Sequence, residues 1–92
     1  MYAIITTTGK DRVGIIAAVS NAAAERNLNI VDVSQTLMDN FFTMIMRVQL
    51  PTAGDEPVDM GDLQAHLATT GEQLGVDVRI QAEDLFTAMN EI

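Results

Sequence analysis

Apolar residues in this chain recur at two different spacings, and the order in which those spacings alternate limits the fold more than any other feature. Ile4-Ile5-Thr6-Thr7-Thr8 is a β-branched run that favours extended backbone and predicts a strand over about Tyr2–Thr8. Ile15, Ile16, Val19, Ala22 and Ala23 follow in one stripe of a 3.6-residue period, which predicts a helix from about Arg12 to Arg26. Asp11 is placed as its N-cap, with a carboxylate that would accept the Gly14 N–H, and Asn27 or Asn29 would end it. Two extended segments come next, about Asn29–Met38 and Phe41–Leu50. They join at Asp39-Asn40, residue types that tolerate the left-handed angles of a tight hairpin. Pro51 to Pro57 is a loop by composition. Met60, Leu63, Leu67, Gly71 and Leu74 return to helical spacing, with Asp59 as N-cap and Gly75 as the left-handed residue at the exit. Val76, Val78 and Ile80 alternate as in a strand, Val76–Gln81. Leu85, Phe86, Met89 and Ile92 then share one face of a short last helix, about Glu83–Glu91.

The order β-α-β-β-α-β predicts the ferredoxin-like α+β arrangement, a four-stranded antiparallel sheet with two helices on one face, plus a short C-terminal helix. Residues 1–92 read as one domain. A core of this size is modest, so a partner chain would add stability. The two middle strands point to the same expectation. Ile30, Asp32, Ser34 and Thr36 alternate with Val31, Val33, Gln35 and Leu37, and Phe41, Thr43, Ile45 and Arg47 alternate with Phe42, Met44, Met46 and Val48. Neither strand separates apolar from charged residues cleanly, so part of the second sheet face is expected to be covered by another chain.

The chemistry available is narrow. Thirteen acidic residues against five basic ones give a formal net charge of −8, which disfavours phosphate backbones and anionic membranes as partners. The RNA-binding use of this fold needs stacking aromatics in a basic setting, and the central strands offer only Phe41 and Phe42. There is no cysteine, so thiolate catalysis and thiolate metal sites are excluded, and a reducing, cytoplasmic setting is expected. No apolar run approaches the length of a membrane span, and no basic leader precedes the first strand. No His, Asp and Glu spacing reads as a metal site, and the phosphate motifs GxGxxG and GxxxxGK[ST] are missing. No cofactor is expected. Asp11, Asp32 and His66 are the one poor candidate acid–base set, so the chain does not read as an enzyme.

One segment remains with a chemical use. Gly9-Lys10-Asp11-Arg12-Val13-Gly14-Ile15 joins the first strand to the first helix, where N–H groups without helical partners and the positive end of the helix dipole suit a small carboxylate.

Asp11-Arg12-Val13-Gly14-Ile15, then Leu28-Asn29-Ile30, then Phe42-Thr43-Met44, together resemble an ACT domain, a small regulatory module attached to many enzymes of amino-acid metabolism. The loop is similar to the version found in the glycine-cleavage regulator and in formyltetrahydrofolate deformylase. Ser34-Gln35-Thr36 and the Leu85-Phe86…Met89…Ile92 segment resemble single ACT proteins that stand alone. The resemblance implies a homodimer that binds a small amino acid between this loop and the start of the second strand of the neighbouring chain. It implies binding roles for Asp11, Arg12, Val13, Gly14, Ile15 and Asn29. Backbone N–H groups of about Arg12 to Ile15 would take the carboxylate, Asp11 the α-ammonium, and Asn29 either end of the zwitterion. Gly14, lacking Cβ, would let ligand or strand approach the helix start. An unidentified partner protein would receive the signal. The alternative is a protein–protein interaction module without a working pocket, docking through sheet edges and the C-terminal helix.

Overall fold

A computed structural model describes residues 2–10, 14–51 and 59–83. Strand β1 (Tyr2–Lys10) leads to helix α1 (Ile15–Glu25), then β2 (Asn29–Met38), β3 (Phe41–Gln49), helix α2 (Met60–Leu74) and β4 (Val76–Ala82). The sheet order is β2-β3-β1-β4, antiparallel throughout. This is the expected ferredoxin-like arrangement, with both helices on one face. The expected C-terminal helix after Glu83 and most of the Pro51–Pro57 loop lie outside the described residues.

The core forms between the helices and the sheet. Ala3 and Ile5 of β1, Met44, Met46 and Val48 of β3, and Val78 and Ile80 of β4 point toward it. Ile15, Val19, Ala22 and Ala23 of α1 and Leu63 and Leu67 of α2 close it from above. The α2 boundaries follow the sequence. The Asp59 carboxylate accepts the Asp62 N–H at 3.1 Å, and Gly75 adopts a left-handed φ of 73° at the exit. Gly71 brings α2 close to β4: a Cβ there would lie 2.6 Å from the Val76 carbonyl oxygen.

Three expectations are corrected. Helix α1 starts at Ile15, not Arg12, and its N-cap is Gly14. Asp11 is therefore not the cap, because the chain is still extended at Lys10 and enters the helix only after a positive-φ residue. Ile16 is 43% exposed and does not belong to the buried stripe, because a stripe five residues wide exceeds the face that one sheet covers. The third correction concerns β2. A bulge between Ile30 and Asp32 shifts its register, so Ile30 joins Val33, Gln35 and Leu37 on the helix side. Asp32, Ser34, Thr36 and Met38 take the opposite side, opposite Arg47, Ile45, Thr43 and Phe41. The mixed faces expected from strict alternation resolve into two ordinary faces once this residue is counted.

The helix side of β2 is nevertheless open. Val33 is 44% and Leu37 58% exposed, and no residue of β2 is fully buried. The two sheet edges also differ. On β4, the Gln64 side chain of α2 donates to the Val78 carbonyl at 3.2 Å and accepts the Ile80 N–H at 3.0 Å. That covers part of the β4 edge, whereas no helix does the same for β2 among the described residues.

Candidate functional site

Gly14 sets the start of α1. Its φ of 92° is left-handed, which glycine adopts without penalty. Among the described residues a Cβ at Gly14 would meet nothing within 4 Å, so its role toward helix and strand is conformational rather than one of close packing. The first helical hydrogen bond runs from the Ala18 N–H to the Gly14 carbonyl at 2.9 Å. The N–H groups of Ile15, Ile16 and Ala17 therefore have no acceptor within the helix, and no side chain caps it among the described residues. Asp11, Arg12 and Val13, the other loop residues expected at the site, lie outside the described residues.

Beside this helix start is a cavity of about 310 Å³ lined by Ile16, Gln35, Thr36, Leu37 and Phe42. It is bounded by the first turn of α1 and the helix side of β2 and β3. A volume of this size is at the small end for ligand pockets, and Gln35 brings an amide that both donates and accepts. In the sequence Ile16 looks like core, and Gln35 is marked only as part of Ser34-Gln35-Thr36, on the same strand face as Val33 and Leu37, with no binding role.

Asn29 is not near this cavity within one chain. It pairs with Gln49, which pairs with Tyr2, whereas the Gly14 loop leaves from Lys10. Those levels are eight strand residues apart, about 26 Å at ~3.3 Å per residue. Asn29 is also free of the helix-exit role. Asn27 takes the left-handed conformation, φ 61°, while the Leu28 N–H bonds to the Ala23 carbonyl and the Asn27 N–H to that of Ala24. Together these form a Schellman exit with asparagine in the glycine position.

The candidate acid–base set is not assembled in its described part. Asp32 lies on the helix-free side of the sheet and His66 sits on α2, across the sheet from it. The His66 Nε2 is 3.7 Å from Glu25 of α1, a helix–helix contact next to the Arg26–Asp62 pair at 3.1 Å. Among the described residues, no group of three or more His, Asp or Glu side chains could hold a metal ion, and no helix is long and apolar enough to cross a membrane.

The helix-free side carries a second cluster. Arg47 donates to both oxygens of Glu83 at 2.6 and 3.3 Å. The Tyr2 ring centroid lies 3.8 Å from the guanidinium carbon, within cation–π range. The hydrogen bond from Arg47, reinforced by its charge, holds the Glu83 carboxyl below its usual range.

Comparison with known proteins agrees with this architecture. The ACT domain family profile matches residues 1–81. A UPF0237 protein of Listeria monocytogenes is 48% identical over 92 residues, covering all of both chains. The structure of an ACT domain protein from Streptococcus pneumoniae superposes with a TM-score of 0.79 at 43% identity, over 94% of this chain and 93% of that one. The ligand-free regulatory subunit of aspartate kinase from Thermus thermophilus shares the fold, with a TM-score of 0.64 at 22% identity, over 87% of this chain and 50% of that one. The chain belongs to the ACT domain family.

Proposed function

We propose that this protein is a non-enzymatic regulatory module that binds a small amino acid or related carboxylate where two copies of the chain meet, and signals to a partner protein. The supporting observation is the open helix side of β2 beside the α1 cavity. Val33 and Leu37 are exposed there, next to a helix start whose first N–H groups have no acceptor within the helix. Covering such surface is favourable at about 25 cal/mol per Å². The β2 edge is free to pair with β2 of a second copy around a two-fold axis. Antiparallel pairing centred between Val33 and Ser34 would set Asn29 of the second copy opposite Met38, at the end of the sheet that carries the Gly14 loop. That pairing would unite the two halves of the expected site, which are about 26 Å apart in one chain. The carboxylate would lie on the N–H groups of Ile15 to Ala17, with the Gln35 amide beside it. A ligand touching both chains favours one arrangement of the pair over another, and that difference is the signal. The regulatory role of the aspartate kinase subunit that shares the fold is consistent with this reading.

Titration calorimetry against the twenty amino acids, at chain concentrations where the dimer persists, tests the proposal. Binding of one or a few small amino acids is expected, with Gly14→Ala weakening it. No heat and no melting shift with any amino acid would refute the ligand reading.

A further inference from the structure

We propose that the helix-free face of the sheet is a second contact between copies of this chain, laid face to face. Combined with pairing at the β2 edge, it stacks two dimers into a four-chain assembly. The contact is on the opposite side of the sheet from the α1 cavity.

The face has the anatomy of an interface. Met38 of β2 and Phe41 of β3 are cross-strand partners, and at 71% and 61% they are the most exposed large apolar residues described. Ile45, 39% exposed, lies on the same side of β3, about 13 Å from Phe41 at ~3.3 Å per residue. Between them, Thr36, Thr43 and Thr8 form one cross-strand row. From Met38 to Ile45, β2 and β3 therefore carry no charge on this side. Charges flank the patch and are already paired, Arg47 with Glu83 at 2.6 Å and Arg79 with Asp77 at 3.0 Å. Methionine and an aromatic ring at an uncharged centre, with a polar rim, are what protein interfaces select.

The charge balance selects a second copy as the occupant. On this side Lys10, Arg47 and Arg79 offset Asp32, Asp77 and Glu83, in a chain whose formal net charge is −8. The two helices and their caps carry Arg26 against Glu25, Asp59, Asp62 and Glu72. Copies that met helix side first would repel, whereas the sheet faces are neutral. In a two-fold contact a patch meets itself, so it needs both signs of charge, and this one has them. Four strands make a face about 19 by 30 Å, roughly 570 Å² before side-chain relief. Two such faces side by side in the edge-paired sheet, on which this step rests, give about 1,100 Å², above the ~800 Å² per partner of a standard interface.

Sedimentation velocity and native mass spectrometry of the full chain test the contact. Four chains are expected for the wild type. Phe41→Asp, and Thr43→Lys at an exposed position, should each weaken the four-chain assembly about tenfold or more, because each sets like charges against one another. The two variants change net charge in opposite directions, so a loss common to both reports the face itself. Both should keep the wild-type circular dichroism spectrum. Leu37→Asp, on the other side of β2, reports the edge pairing separately. An unchanged mass in both face variants would overturn the contact, as would a single-chain wild type. That first result is expected if the chain's own last residues or another protein takes this face, and it leaves the edge pairing standing. A two-chain wild type that both face variants reduce to single chains would support the contact and remove the edge pairing.

Discussion

Gly71→Ala gives the sharpest test of how α2 sits on the sheet. In a solvated helix this change would stabilise by about 1 kcal/mol, because alanine is the better helix former. Here the added Cβ would lie 2.6 Å from the Val76 carbonyl oxygen, 3.0 Å from Val78 Cγ2 and 3.4 Å from the Val78 nitrogen. Ordinary contact begins near 3.4 Å, so the first of these is short by about 0.8 Å. The offending atom is backbone within β4 and cannot rotate away. Either α2 lifts or β4 bends, and both would disturb the two Gln64 bonds that join them. Overpacking of this kind costs about 1–3 kcal/mol, and an obstruction made of backbone belongs near the top of that range. Set against the helix gain, net destabilisation should be about 1–2 kcal/mol, and the Tm should fall by roughly 4–16 °C for a domain of this size. Circular dichroism melts and urea titrations measure it, at matched chain concentration because a dimer's Tm depends on concentration. Gly61→Ala is the companion variant, since its Cβ meets only the tip of the Asp59 side chain at 3.2 Å, and it should shift the Tm much less. An unchanged or raised Tm for Gly71→Ala would refute the close α2–β4 approach.

Gly14→Ala has free space but the wrong φ, so it should destabilise by about 1 kcal/mol through strain alone, measured by the same urea titration. Leu37→Asp puts a charge on the open helix side of β2; a shift toward monomer in sedimentation analysis, with the monomer's secondary structure kept, is expected if that surface is where copies meet. Thr7→Val should raise stability by about 1 kcal/mol in thermal melts. The Thr7 hydroxyl is fully buried without a hydrogen-bond partner among the described residues, and valine removes that unpaired group at nearly the same shape. Glu83→Gln should lower stability at neutral pH but not in acid. The folded carboxyl titrates below its usual value, so its contribution is present above the ordinary glutamate pKa of about 4.3 and fades as pH falls through the lower folded value. Urea midpoints of the two proteins should therefore converge with acidification.

The element order was legible because it depends on periodicity and caps, both of which are local. Asp59, Gly75 and the Asp39 turn each declare themselves through one side chain or one backbone angle. The start of α1 was less legible, since Asp11 and Gly14 both suit a helix N-terminus, and only the backbone after Lys10 decides between them. The β2 bulge was invisible, because an extra residue in a strand leaves no compositional mark and shows only in the pairing of Ile30 with Val48 and Asp32 with Arg47. That one residue moves Ile30 to the side of Val33, Gln35 and Leu37, away from Asp32, Ser34 and Thr36. The Arg47–Glu83 pair joins residues 36 apart, and no local pattern could have linked them.

The bulge and the unequal edges bear on the same question. The Gln64 amide covers part of the β4 edge, as a short helix or side chain often does to discourage pairing. On β2 the bulge turns Ile30 toward the core, yet Val33 and Leu37 on the same side stay in water, an arrangement a chain acting alone gains nothing from. Helix α1 (Ile15–Glu25) leaves both side chains exposed, and the cavity lined by Ile16, Leu37 and Phe42 lies between them and its first turn. Apolar surface left uncovered beside a cavity, at the end of the sheet opposite Asn29, therefore makes sense as half of a shared site. Binding and association in such a site must be linked. A ligand that needs both halves can bind tightly only to the pair, and it stabilises the pair by the same free energy.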